Sequence, residues 1–193
     1  MSPRDGFLAY CAHAVSLTGD EQAALRGRLR VREIDAGDAW VREGETCREV
    51  AFVAQGVLRV YFLAEGDEVT AYFASEGEMV SDYESVLTGE VSRQTIEAVE
   101  PTTLAVLRRE NMHWAFEHLA HGEKLGRLIA EKLFLATHRR LASFYLESAE
   151  DRYARLLDEQ PDLVQRVPQH ILASYIGVRP QSLSRIRRRM GKG

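Results

Sequence analysis

The sequence predicts an α+β chain: an N-terminal antiparallel β-roll of the cupin-like jelly-roll type, a long helix, and a C-terminal all-α helix-turn-helix domain. Three observations predict it. Short Val-, Tyr-, Phe- and Thr-rich runs separated by Gly-acid turns fill residues 28–108. An apolar stripe at helical spacing follows, from Leu125 to Ala142. Two short amphipathic patterns then meet at Gly177 in "LASYIGVRPQSLSRIRRRM", residues 172–190. The boundaries expected are 1–120 for the roll, 121–147 for the long helix and 148–193 for the helix-turn-helix unit.

The N-terminal "FLAYCAHAVSL" follows an Arg-Asp pair and carries His13, so it reads as an amphipathic helix and not as a signal core. Thr18 and Glu21 have capping-box spacing ahead of a second helix. The strands expected are "LRVREI", "REVAFVA", "VLRVYFLA", "EVTAYFA", "RQTIEAV" and "TLAVL", with no helix of ordinary length before about residue 82. The stripe on the long helix suits packing on the roll, pairing with a second copy, or both, and homodimerisation is the expectation. Lys132 at its edge keeps the stripe from being a plain heptad zipper. A further helix spans about 148–158, followed by "DEQPDL" as a connector.

The 193 residues carry a net charge of -4, with 45% hydrophobic and 28% charged residues, which suits a globular chain. The charge is divided unevenly. Residues 1–166 hold 19 basic and 29 acidic side chains, a net -10. Beyond them lie only basic charges: Arg179, Arg185, Arg187, Arg188, Arg189 and Lys192. An acid-free basic end on an acidic body is the footprint of a polyanion partner. No run approaches the ~18 apolar residues of a membrane span, so no membrane partner and a cytoplasmic location are expected. Cys11 and Cys47 suffice neither for a disulfide framework nor for an iron–sulfur cluster.

The terminal pattern meets each physical demand of a helix-turn-helix. With Gln169 as its first position, Leu172, Ala173 and Ile176 face inward from the first helix. Gly177 sits where a left-handed backbone is needed. Val178 fills the corner, and Leu183 and Ile186 face inward from the second helix. Pro180 fits its first turn, where a missing N–H costs nothing. Gln181, Ser182, Ser184, Arg185, Arg188 and Arg189 are left outside, where glutamine suits adenine and arginine suits guanine in the major groove of double-stranded DNA.

A strand-rich roll, a long helix and this ending together resemble the Crp/Fnr family of bacterial transcription regulators. "SAEDRYARLL", "RVPQ" and "QHILASYIGVRPQSLSRIRRRM" carry the resemblance most specifically. It implies a cyclic-nucleotide-binding-type roll, a homodimer formed through the long helix, a two-fold-symmetric operator, and RNA polymerase as a further partner. The family's base-reading positions fall on Pro180, Gln181 and Arg185. Proline cannot read a base edge, which leaves Gln181 and Arg185. Gln169, Ser174, Arg179, Ser182, Ser184, Arg188 and Arg189 are then the expected contacts to the DNA backbone.

The sensing region departs from the family's pattern. Ser81-Asp82-Tyr83 stands where cyclic-nucleotide binders have Gly-Glu-Leu, and Arg93-Gln94 stands where they have Arg-Ser. Asp82, Arg93 and Gln94, with Thr137 and His138 from the long helix, are the residues expected at an effector pocket. The substitutions argue against cyclic AMP or cyclic GMP, so the effector is left open and no cofactor is indicated.

A cupin-type metalloenzyme is the rival reading, because rolls of short strands also hold catalytic metals. That chemistry needs histidines inside the roll. All six, at positions 13, 113, 118, 121, 138 and 170, fall outside residues 28–108. His113 and His118 are five apart and face apart on a helix, so no metal site is expected. A sensor that acts only through a protein partner is a third reading, and the basic second helix argues against it.

Overall fold

A computed structural model describes residues 1–190; Lys192, counted among the terminal charges, lies outside them. Helix α1 (Pro3–Ala14) starts on a Ser2 cap with proline at its first position. Helix α2 (Gly19–Arg28) opens on the Thr18–Glu21 capping box, formed in both directions.

Eight strands follow: β1 (Arg30–Ile34), β2 (Ala39–Val41), β3 (Glu49–Gln55), β4 (Leu58–Ala64), β5 (Asp67–Ala74), β6 (Met79–Val80), β7 (Thr95–Ala98) and β8 (Thr102–Arg108). They form two antiparallel four-stranded sheets, in the orders β1-β8-β3-β6 and β2-β7-β4-β5. The six runs expected as strands are strands. The two-residue β6 and three-residue β2 are additions, too short to show a period of two. The interior of the roll is built from Trp40, Val53, Leu58, Val60, Ile96 and Leu104.

Strand β3 is buried on both faces, because α1 covers its outer side. Gly6 allows that approach: a β-carbon there would lie 2.8 Å from the Phe52 ring. Helix α3 (Tyr83–Thr88) sits between β6 and β7, capped by Asp82 and ended by Gly89 in the left-handed region.

Six helices complete the described chain: α4 (Arg109–His118), α5 (Gly122–Leu146), α6 (Ala149–Glu159), α7 (Pro161–Arg166), α8 (Gln169–Ile176) and α9 (Pro180–Met190). The long helix falls within one residue of its expected ends. The expected connector after α6 is instead the short helix α7, which Pro161 starts and Leu163 anchors.

Helix α5 packs on the roll through Leu125, Leu128 and Ile129, and Lys132 stands over the Tyr10 ring. Beyond that point its apolar side chains stay exposed, among them Phe134, Leu141, Tyr145 and Leu146. A second core unites the C-terminal helices: Tyr153, Leu156, Leu163, Leu172, Ala173, Ile176, Leu183 and Ile186. Val57 and Phe73 of the roll belong to it, so the helical unit is seated on the β2-β7-β4-β5 sheet.

Candidate nucleic-acid interface and sensor pocket

The helix-turn-helix forms as its residues require. Leu172, Ala173, Ile176 and Leu183 are almost completely buried. Gly177 ends α8 with φ +80°, and the Gly177 and Val178 amides bond back to the carbonyls of Ser174 and Ala173. The Arg179 carbonyl accepts the first free amides of α9. Helix α9 buries only Leu183 and Ile186 and turns the rest of its length outward.

Gln181 and Arg185 lie four residues apart on that outer face, both exposed. Neither makes a side-chain hydrogen bond or ion pair among the described residues. Arg179 and Arg188 are likewise exposed and unpaired among them. Gln169, at the start of α8, donates to the Ser184 hydroxyl at 2.7 Å and ties the two helices together. Ser184 also bonds back to the Pro180 carbonyl, and Ser182 is half-buried beside it. Arg189 is drawn sideways into an ion pair with Glu150 of α6 at 2.7 Å.

Ser174 is turned into the roll. Its hydroxyl accepts from the Thr70 amide at 2.8 Å and donates to the Glu68 carbonyl at 2.7 Å. The seating is otherwise held by arginines. Arg166 of α7 forks onto Glu76, in the β5–β6 turn, and Glu100, in the β7–β8 turn. The Glu76 carboxylate also accepts from the Gly56 amide. Arg166 beside it holds the Glu76 carboxyl down at about 2, from an ordinary 4.5. Tyr175 of α8 packs on Phe73, ring centroids 4.9 Å apart. Sequence reasoning missed these residues, whose partners are far away in the chain, 90 positions for Arg166 and Glu76.

The sensing region contains a cavity of about 320 Å³ lined by Asp82, Glu84, Ser85, Thr88, Glu90, Val91 and Arg93. Asp82 is buried and spends one oxygen on capping α3 through the Ser85 amide, at 3.2 Å. Arg93 is exposed and already paired: Glu84 holds it at 2.9 and 3.0 Å. That pair, with Glu90 and Asp82 nearby, raises the Arg93 guanidinium above its ordinary value. Glu84 stands nine residues before Arg93 in the sequence, where its negative charge is readable. Gln94 does not line the cavity; its amide and carbonyl are bonded to Ser92.

Thr137 and His138 do not line the cavity within a single chain either. The helix has left the roll after Lys132, and both side chains are exposed. Thr137 bonds back to Leu133, and His138 tilts against Phe134. Among the described residues no cluster of histidines, cysteines and carboxylates could hold a metal, and no helix is long and apolar enough to cross a membrane.

A roll with an acid-lined pocket, a long helix with a bare apolar face and an exposed basic helix-turn-helix define an α+β chain of the regulator fold class. Comparison gives that class a family setting. Residues 31–118 match the cyclic nucleotide-binding domain, and most of the chain has the fold of Crp/Fnr regulators. It is similar to FixK2 from Bradyrhizobium japonicum, with 18% identity, TM-score 0.72 and 85% of each chain covered. It is also similar to CLP of Xanthomonas campestris, a c-di-GMP responsive global regulator, at 16% identity and TM-score 0.69, over 88% of this chain and 90% of that one. The Thermus thermophilus catabolite activator protein aligns at 24% identity and TM-score 0.56, over 95% and 87%. No curated protein matches the chain in sequence.

Proposed function

We propose that this chain is a DNA-binding transcription regulator that works as a homodimer on an inverted-repeat operator. The observation that carries the reading is the α9 surface: Gln181 and Arg185 exposed on one face, without internal partners, in a segment free of acidic residues from Arg166 to Met190. Gln181 and Arg185 read base edges; Arg179 and Arg188 hold phosphates, with Gln169, Ser182 and Ser184 at the margins of the contact. Arg189 and Ser174 serve the backbone only if they give up Glu150 and β5. The exposed Phe134, Leu141, Tyr145 and Leu146 support pairing through α5, which sets two copies of α9 about one duplex turn apart, ~34 Å.

The roll carries no catalytic chemistry in this reading. It either takes an effector other than a cyclic nucleotide or only supports the dimer, because Glu84 already occupies Arg93 and Asp82 and Glu90 add negative charge around it. The match to the cyclic nucleotide-binding domain favours a second reading, a regulator responsive to cyclic AMP or GMP. Calorimetric titration separates the two: no heat with either nucleotide supports the first reading, and saturable binding the second. The protein is placed in the cytoplasm, where promoters and RNA polymerase are.

Mobility-shift titration against specific and random duplex, with sedimentation to give the stoichiometry, tests the main claim. A dimer with a sequence preference and a steep loss of affinity with salt is expected. A monomer that binds every duplex alike would refute it.

A further inference from the structure

We infer that Arg140, Phe144 and Arg152 form a relay that fixes the helix-turn-helix to the end of the long helix, making them positioning residues for Gln181 and Arg185. The inference rests on the reading of α9 as the DNA-reading helix.

Arg140 lies where α5 meets the roll again. Its Nε donates to the Ala71 carbonyl of β5 at 3.1 Å, and its Nη2 donates to the Tyr175 carbonyl of α8. The guanidinium is stacked 3.7 Å from the Tyr175 ring centre and 4.5 Å from that of Phe144. One side chain thus binds the roll, the long helix and the reader. Burial lowers its pKa, as expected of a cation taken from water.

Arg152 enters from α6 and is 8% exposed. Its Nε donates to the Ile176 carbonyl at 3.0 Å, and its Nη1 to the Ser143 and Glu147 carbonyls at 3.2 and 2.6 Å. These carbonyls end α8 and α5, where a cation is favoured by the helix dipoles. Its guanidinium sits 4.7 Å from the centre of the same Phe144 ring. Phe144 in turn covers the turn of the reader: a β-carbon on Gly177 would lie 2.8 Å from the ring.

Neither guanidinium has a carboxylate partner within ion-pair distance among the described residues. That matters for precision. A surface ion pair tolerates movement and contributes little. A planar guanidinium bonded to several carbonyls and stacked on rings fixes both position and angle. Five backbone points, at residues 71, 143, 147, 175 and 176, are held this way. The relay also borders the bare face of α5, since Leu141 and Tyr145 flank Phe144. A rotation of the end of α5 is therefore felt at Gly177.

Amide exchange on the full chain tests this, using Arg140→Met, Phe144→Ala, Phe144→Tyr and the double variant R140M/F144A. Protection of residues 174–180 should fall by roughly tenfold or more in either truncation, with little further loss in the double variant, and the β3 and β8 amides should be unmoved. Phe144→Tyr should restore it. On duplex, F144A should lose sequence preference while keeping its salt slope. Protection of 174–180 within about twofold of the parent in both truncations would overturn the inference. If a truncation also releases the roll, Arg140→Lys decides, since it keeps charge and length: local loss at 174–180 supports the relay, and full protection refutes it. A parent protein without sequence preference would instead count against the reading of α9, and the exchange result would stand apart from it.

Discussion

Gly177→Ala gives the turn a test whose size follows from the coordinates. Gly177 has φ +80°, where an L-residue costs about 1–2 kcal/mol. The new methyl would also lie 2.8 Å from the Phe144 ring, well inside contact distance. Phe144 is 44% exposed and can swing outward. The overlap therefore becomes a lost contact of about 1 kcal/mol and not the full cost of overpacking. The sum is a destabilisation of about 2–3 kcal/mol in the C-terminal unit. Trp40 and Trp114 both lie outside that unit, in the roll and α4, so urea unfolding is best followed by helical ellipticity beside tryptophan fluorescence. With a slope of ~1–2 kcal/mol per molar urea, the ellipticity midpoint should drop by about 1–3 M. Measured against a Phe144→Ala parent, Gly177→Ala should cost only the backbone term of about 1–2 kcal/mol. An ellipticity midpoint unmoved by Gly177→Ala would refute the reasoning, because φ +80° would then carry no penalty.

Arg185→Ala should weaken operator binding by about 1–3 kcal/mol and relax preference at one base pair per half-site, which titration against a panel of single-base variants would measure. Arg188→Ala should weaken binding to every duplex alike and reduce the salt slope by about 1 per subunit. The Arg166 fork makes a pH prediction. The folded Glu76 carboxyl is depressed to about 2 from 4.5, so its contribution is complete above about pH 4.5 and is lost as pH falls through about 2. Solvent screening of this part-exposed pair limits it to about 1 kcal/mol, and Arg166→Gln should flatten the loss of stability across that window in an acid titration followed by ellipticity. Leu172→Ala should cost 2–5 kcal/mol in the same unfolding measurement, because that side chain is 1% exposed in the second core.

Most of the fold is legible in the sequence because it is dictated locally. Thr18 with Glu21, Pro180 at a first turn and Gly177 at a left-handed position each act within four residues. The α9 surface is readable for the same reason: Gln181 and Arg185 share a face whatever else happens. What escapes is long-range. Ser174 looks like a phosphate contact from its place in α8, but Glu68 and Thr70 of β5, over a hundred residues earlier, claim its hydroxyl. Arg166, Arg140 and Arg152 read as ordinary surface charges, and only the seating of the helices on the roll shows what they hold. Thr137 and His138 stand away from the cavity of their own chain, since nothing in a helical period tells where α5 departs from the roll. The Glu84–Arg93 pair joins two residues that are readable in the sequence nine positions apart, although their pairing is not.

The central claim is that paired copies of α9 read DNA. Selection from a random duplex library by the full-length protein, with and without a small-molecule extract of cells, tests it most directly. The account predicts enrichment of an inverted repeat with half-site centres about 10 base pairs, ~34 Å, apart, and loss of that enrichment in the Gln181→Ala/Arg185→Ala variant. Recovery of unrelated sequences under both conditions, or of the same repeat by the variant, would contradict it.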